Sequence, residues 1–87
     1  MDSNETLRFP INLDHAEIVR RLVKVRESAR AKALPDLVAY FDNVETMTPA
    51  QIGASVIGAL TWLEDRADFR SLATQLEMVA VNLKNLK

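Results

Sequence analysis

Cysteine is absent from this sequence of 87 residues, and the absence excludes several kinds of protein at once. Without thiols the chain can form no disulfide, thiolate metal site, iron–sulfur cluster or cysteine nucleophile. Histidine occurs once, as His15, so a single chain cannot assemble a multi-histidine metal site. Chains of this size have a marginal core and often depend on disulfides, a metal or oligomerisation for stability. Of these three aids, the composition favours oligomerisation.

Glycine and long apolar runs are also scarce. Gly53 and Gly58 are the two glycines, and they lie inside a segment with helical periodicity, so they form no glycine-rich phosphate loop. The longest apolar stretch, 52–63, is too short to cross a bilayer. The first nine residues include Asp2 and Glu5 and lack the apolar run of a signal peptide. We therefore expect a soluble, cytoplasmic protein with no transmembrane segment, cofactor or bound metal.

Apolar residues make up 48% of the sequence, and many of them recur at helical spacing. Asp14, with Glu17 three residues later, is typical of a capping box and predicts a first helix over 14–32. Pro35 suits the first position of a helix, and Asp42 ends the apolar pattern, which predicts a short second helix over 35–42. Residues 1–10 lack periodicity and are expected to form a flexible N-terminal arm.

The third helix has the clearest start in the chain. Thr48, Pro49 and Gln51 supply an N-cap, a proline at the first position and a capping-box partner, which predicts a helix that runs to about Asp65. Asp68 is a plausible N-cap for a fourth helix. Its apolar positions follow a heptad spacing, as in left-handed helix packing: Phe69, Leu72, Leu76, Val79, Leu83 and Leu86.

These elements predict an all-α fold: a small antiparallel helical bundle with three main helices and one short helix, formed by a single domain over 11–87. The apolar stripes of the helices give the expected core: Ile18, Leu22, Val25, Leu37, Phe41, Ile52, Val56, Leu60, Leu63, Leu72, Leu76, Val79 and Leu83.

Three features indicate a protein interface. Ala50, Ala54 and Gly58 recur every four residues, and such small residues allow another helix to approach closely, so Ala54→Leu or Gly58→Leu should disturb folding or assembly. The heptad of the fourth helix is either the core face of a bundle or an intermolecular seam. Trp62 is turned away from the core stripe, and tryptophan is enriched at binding hot spots. The candidate interface comprises Ala54, Gly58, Trp62, Phe69, Leu76 and Leu83.

Charge is distributed unevenly, although the formal net charge is only −1. Residues 20–32 are strongly basic, whereas residues 35–68 are mostly acidic. The basic side chains can cover the edges of an apolar seam and pair with acidic neighbours, or they can bind an anionic partner such as an acidic protein, an anionic membrane surface or a nucleic acid. The candidate anionic-partner surface comprises Arg20, Arg21, Lys24, Arg26 and Arg30.

Catalytic and metal-binding patterns are weak. His15 lies between Asp14 and Glu17, which is typical of a surface histidine in a helix cap. The acidic cluster Glu64, Asp65 and Asp68 matches no calcium-loop spacing. We therefore expect no enzyme. The sequence favours a protein–protein interaction or regulatory module, acting as an adaptor and self-associating as a homodimer. The alternative is a nucleic-acid-binding regulator that uses the basic helix over 20–32.

Overall fold

The computed structural model describes residues 13–83 and confirms the all-α bundle. Four α-helices lie in this part of the chain: α1 (His15–Ala31), α2 (Pro35–Tyr40), α3 (Pro49–Leu63) and α4 (Arg70–Leu83). The described residues form no β-strand. The expected arm over 1–10 and Leu86 of the heptad lie outside the described residues.

The helix starts follow the capping signals of the sequence. The Asp14 carboxylate accepts a hydrogen bond of 2.9 Å from the backbone N–H of Glu17. At α3 the capping box is complete: Thr48 Oγ1 accepts from the Gln51 N–H at 3.2 Å, and Gln51 Oε1 accepts from the Thr48 N–H at 2.8 Å. These bonds satisfy donors that the first turn of any helix leaves without partners.

Helix α1 ends in a Schellman motif. The backbone N–H of Leu34 donates to the Ala29 carbonyl, and that of Ala33 donates to the Arg30 carbonyl. Ala33 itself takes a left-handed conformation, with φ of 57°. This position usually holds glycine. The motif reverses the chain into α2.

Three helix boundaries differ from those expected. Helix α3 ends at Leu63, two residues before Asp65. Helix α2 ends at Tyr40 and not at 42, because the backbone then passes through an irregular turn into a 3-10 turn at Val44–Thr46. Asp68 was expected to be the N-cap of the fourth helix, but it does not lie directly before α4. It lies inside a 3-10 turn, Ala67–Phe69, which continues into α4.

The helices pack in a ring, with α2 and α4 each lying between α1 and α3. The core matches the expected set at all positions except Leu60 and Leu83, which are half-buried at its edge. Three small or medium apolar side chains join it: Ala29, Val44 and Ala59.

Asn82 is the one buried polar side chain among the described residues. Its Oδ1 accepts a hydrogen bond of 3.0 Å from the Leu13 N–H, and its Nδ2 donates to the Met78 carbonyl at 2.9 Å. Since Leu13 precedes α1 and Asn82 lies in the last turn of α4, this side chain joins the two ends of the described chain.

Helix length and apolarity also bear on membranes. None of the helices within 13–83 combines the length and the apolar character needed to cross a bilayer.

Candidate functional site

The outward face of α3 carries no charge, because the helix contains no charged residue at all. Positions 50, 54, 57 and 61 share this face at helical spacing. Ala50, Ala54, Ile57 and Thr61 are all exposed. Ile57 is 67% exposed, the highest value for a large apolar side chain in the described chain, and only Val81 of α4 joins it at 39%. The exposed large apolar side chains of residues 13–83 therefore lie on α3 and α4.

A shallow groove of about 430 Å³ runs between α3 and α4. We call it the α3–α4 groove. Its lining combines small or apolar side chains with charged side chains. The residues used below are Ile57, Leu60, Thr61 and Glu64 from α3, and Arg70, Ala73 and Glu77 from α4. A groove between two helices is a geometry that can accept a third helix.

The predicted interface residues of α3 do not share this groove. Ala54 is exposed on the outward face, one turn before Ile57. Gly58 faces α2: a Cβ built on it would lie 2.6 Å from Cε1 of Tyr40. Trp62 lies one turn beyond Gly58 on the same side, half-buried against the core, and the Arg66 guanidinium lies 3.9 Å from the centre of its ring.

The other predicted interface residues are directed inward: Leu76 and Leu83 lie on α4, and Phe69 lies in the 3-10 turn before it. Leu76 is fully buried in the core, and Phe69 and Leu83 are half-buried against it. For Leu72, Leu76 and Val79 the heptad is the core face of the bundle. Leu76 therefore offers no surface to a partner in this fold.

The predicted anionic-partner surface is partly neutralised within α1. Glu17 pairs with Arg20 and with Arg21, at 3.1 Å to Arg21 Nε, and Glu27 pairs with Arg30. Lys24 is exposed and has no ion pair with any described residue. Glu17 and Glu27 therefore offset part of the positive charge of this surface.

Arg26 has a different role from the other four basic residues. Its guanidinium binds the Glu45 carboxylate through two bonds of 2.9 Å and also donates to the Phe41 and Asp42 carbonyls at 3.1 Å each. The side chain is only 11% exposed. The hydrogen bonds to the Glu45 carboxylate raise the pKa of Arg26, and Arg26 lowers the pKa of Glu45 to about 2. Arg26 therefore fixes the turn after α2 and confirms, at this position, the pairing of basic and acidic segments.

A second shallow groove, of about 470 Å³, lies where α1 meets α2. Leu34, Pro35 and Val38 line it, with Arg30 and Asp42 also in its wall. Arg30 is already paired with Glu27. The groove combines a small apolar surface with few free polar groups, which gives little basis for recognising a particular ligand.

His15 is half-buried, which corrects its interpretation as a surface histidine. Its Nε2 is shielded from solvent and has no hydrogen-bond partner among the described residues. Within the same residues no group of three or more histidine or acidic side chains comes together closely enough to hold a metal ion.

Sequence reasoning missed Ile57 and the α3–α4 groove. The signal was available in the lack of any charge from Pro49 to Leu63, which leaves the outward face of that helix uncharged.

No protein-family model, curated protein or solved structure matches this chain.

Proposed function

We propose that this protein is a non-enzymatic interaction module that binds another protein helix through the outward surface of α3 and α4. The observation that carries the proposal is the exposure of Ile57, 67%, beside the α3–α4 groove on a helix without charge. Water contact with a large apolar side chain is unfavourable, and contiguous apolar surface rimmed by charge is typical of binding sites.

The pattern of charges also supports protein binding here. Interfaces typically have an apolar centre depleted of charge and a polar rim. Ile57 and Ala73 are apolar members of the groove's lining, whereas Glu64, Arg66, Arg70 and Glu77 are its charged members. A partner helix can therefore gain apolar contact from the former and orientation from the latter.

The nucleic-acid alternative has weaker support. Phosphate binding needs free cationic side chains, whereas Arg26 is held by Glu45 and two carbonyls, and three more arginines of α1 have carboxylate partners. A shift of duplex or single-stranded nucleic acid in a gel at low salt, lost in Lys24→Glu, would favour this alternative over protein binding.

The test compares Ile57→Glu with Lys24→Glu, two substitutions that place a new carboxylate on an exposed helix position. Partners recovered on immobilised wild-type protein, including a tagged second copy, are identified and purified, and their affinity for each variant is then measured. We expect Lys24→Glu to bind as wild type does and Ile57→Glu to lose at least tenfold in affinity. Equal affinities for the two variants would place the binding surface elsewhere.

A further inference from the structure

We propose that the α3–α4 groove is closed by the same groove of a second copy of this chain, related by a twofold axis beside Ala73, with Arg70 of each copy paired to Glu77 of the other. This inference rests on the proposed function and deepens it, because it names the partner and the contacts that would select it.

The first argument is the spacing of two opposite charges. Arg70 and Glu77 line the same groove, and neither has an ion pair with any described residue. Seven residues separate them, which is two helical turns and about 10.5 Å on one face. Ala73 lies almost midway between them. When two copies of α4 cross antiparallel at that point, the basic residue of each meets the acidic residue of the other.

Such an arrangement is self-complementary. A twofold interface uses the same patch on both copies, so a contact from Arg70 to Glu77 is matched by a contact from Glu77 to Arg70. A single-sign surface would repel its own copy, whereas this groove presents both signs on either side of its centre. Charge complementarity of this kind determines register and partner choice.

The second argument is the apolar surface that this arrangement covers. Ile57, 67% exposed, lines the groove with Ala73. The small side chain of Ala73 lets two helices approach closely at the axis. Val81, 39% exposed, lies one turn beyond Glu77 on the outward face of α4. Helices α3 and α4 of two copies would together form a four-helix bundle, in which each helix pair buries its apolar face against the other.

The size of the surface indicates how strong the association should be. Helices of 15 and 14 residues are about 21–22 Å long, and neighbouring helices lie roughly 10 Å apart. The face is therefore on the order of 20 by 20 Å, below the ~800 Å² that each partner contributes to a standard interface. We expect a weak dimer whose population rises with protein concentration through the micromolar range.

The experiment is sedimentation velocity over a thousandfold range of concentration, with the full chain and four variants. Arg70→Glu and Glu77→Arg each place like charges opposite one another and should weaken association at least tenfold. The double variant Arg70→Glu/Glu77→Arg restores both pairs and should return to within about threefold of wild type. Lys24→Glu, on α1, changes charge by the same amount as Arg70→Glu and should have no effect. Circular dichroism melts verify that every variant is folded.

Mixing the two single variants is the sharpest form of the test. Arg70→Glu presents two acids and Glu77→Arg two bases, so each should fail to pair with itself while the two pair with each other. Recovery of the dimer on mixing supports the proposed geometry. Failure of both the mixture and the double variant to recover would overturn it, as would an equal loss in Lys24→Glu.

The outcome is distinguishable from a failure of the proposed function. A wild-type protein that stays monomeric throughout the range overturns the self-pairing. If such a monomer still binds another protein in a manner that depends on Ile57, the proposed interaction module stands. If no binding depends on Ile57, both proposals are wrong.

Discussion

The ring of Tyr40 lies directly against the backbone of Gly58, and a Cβ at Gly58 would stand 2.6 Å from Tyr40 Cε1. The contact joins the short helix α2 to the middle of α3. Gly53, five residues earlier on α3, would bring a Cβ within 4 Å of nothing. The two glycines therefore have different reasons to be tolerated inside a helix, although they look alike in the sequence.

This difference gives a matched pair of substitutions. Gly53→Ala should stabilise the fold by up to ~1 kcal/mol, since alanine is the better helix former. Gly58→Ala should instead destabilise it, because displacing a packed ring typically costs ~1–3 kcal/mol and outweighs the helix gain. Urea unfolding followed by Trp62 fluorescence measures both. In a Tyr40→Ala background the clash is removed, so Gly58→Ala should raise the free energy of unfolding as Gly53→Ala does. Equal stabilisation by Gly53→Ala and Gly58→Ala in the wild-type chain would contradict the contact with Tyr40.

Ala33 offers a second prediction, from its left-handed conformation at the end of α1. Its φ of 57° costs a residue with a Cβ about 1 kcal/mol, whereas glycine adopts it freely. Ala33→Gly should therefore raise the free energy of unfolding by ~0.5–1 kcal/mol. The control is Ala31→Gly, two residues earlier at the last position of α1, which should lower the free energy of unfolding by up to a similar amount. Thermal or urea unfolding checks both, and a loss of stability in Ala33→Gly would contradict the Schellman motif.

Arg26 should not be replaceable by lysine. Lysine keeps the positive charge but lacks the planar fork that binds both Glu45 oxygens and the carbonyls of Phe41 and Asp42. Arg26→Lys should cost roughly 1 kcal/mol of stability, the usual net contribution of a hydrogen bond, because the acceptors that it leaves are mostly exposed to water. Arg20→Lys, at an exposed pair of the same helix, should change stability by less than ~0.5 kcal/mol. Similar losses for the two variants would show that the fork is unimportant.

The same contact predicts a dependence on pH. The Arg26 guanidinium lowers the pKa of Glu45 from 4.5 to about 2 in the folded protein. A carboxyl group with a lowered folded pKa stabilises the fold fully above its unfolded pKa, and this stabilisation disappears as the pH falls from about 4.5 to about 2. The advantage of wild type over Glu45→Gln in unfolding experiments should therefore shrink across this window.

Glu27 has a lowered pKa as well, because of its hydrogen bond to Arg30. Glu45→Gln should therefore keep part of the acid sensitivity of the wild-type protein. A difference between wild type and Glu45→Gln that is constant from pH 7 to pH 2 would contradict the assignment to Glu45. An NMR titration of the Glu45 carboxyl provides the direct measurement.

Much of the fold could be predicted from the sequence, because the signals for it are local. The caps at Asp14 and Thr48 act through hydrogen bonds to residues three positions away, so the sequence contains both partners. Helical periodicity likewise predicted the buried stripes from Ile18 to Val79. Asp68 is the exception, because the chain enters α4 through a 3-10 turn that contains this residue.

The candidate site was less accessible to such reasoning. The heptad on α4 was compatible with a core face or an intermolecular seam, and only the packing of α1 and α3 around it assigns Leu76 to the core. The small-residue spacing predicted that another helix contacts Gly58. In the structure that helix is α2 of the same chain, which places Tyr40 against Gly58. Arg26 looked like the other basic residues of its helix until Glu45 was placed beside it.

The sequence by itself determined the number of helices, their approximate limits and most of the core, because these depend on hydrogen bonds and apolar spacing within a few residues. Only the tertiary structure decided that Asn82 is buried and holds Leu13, 69 residues away along the chain, and that Ile57 is left exposed beside a groove. Burial depends on which helix occupies the neighbouring position, and helices distant in sequence determine that by packing against one another.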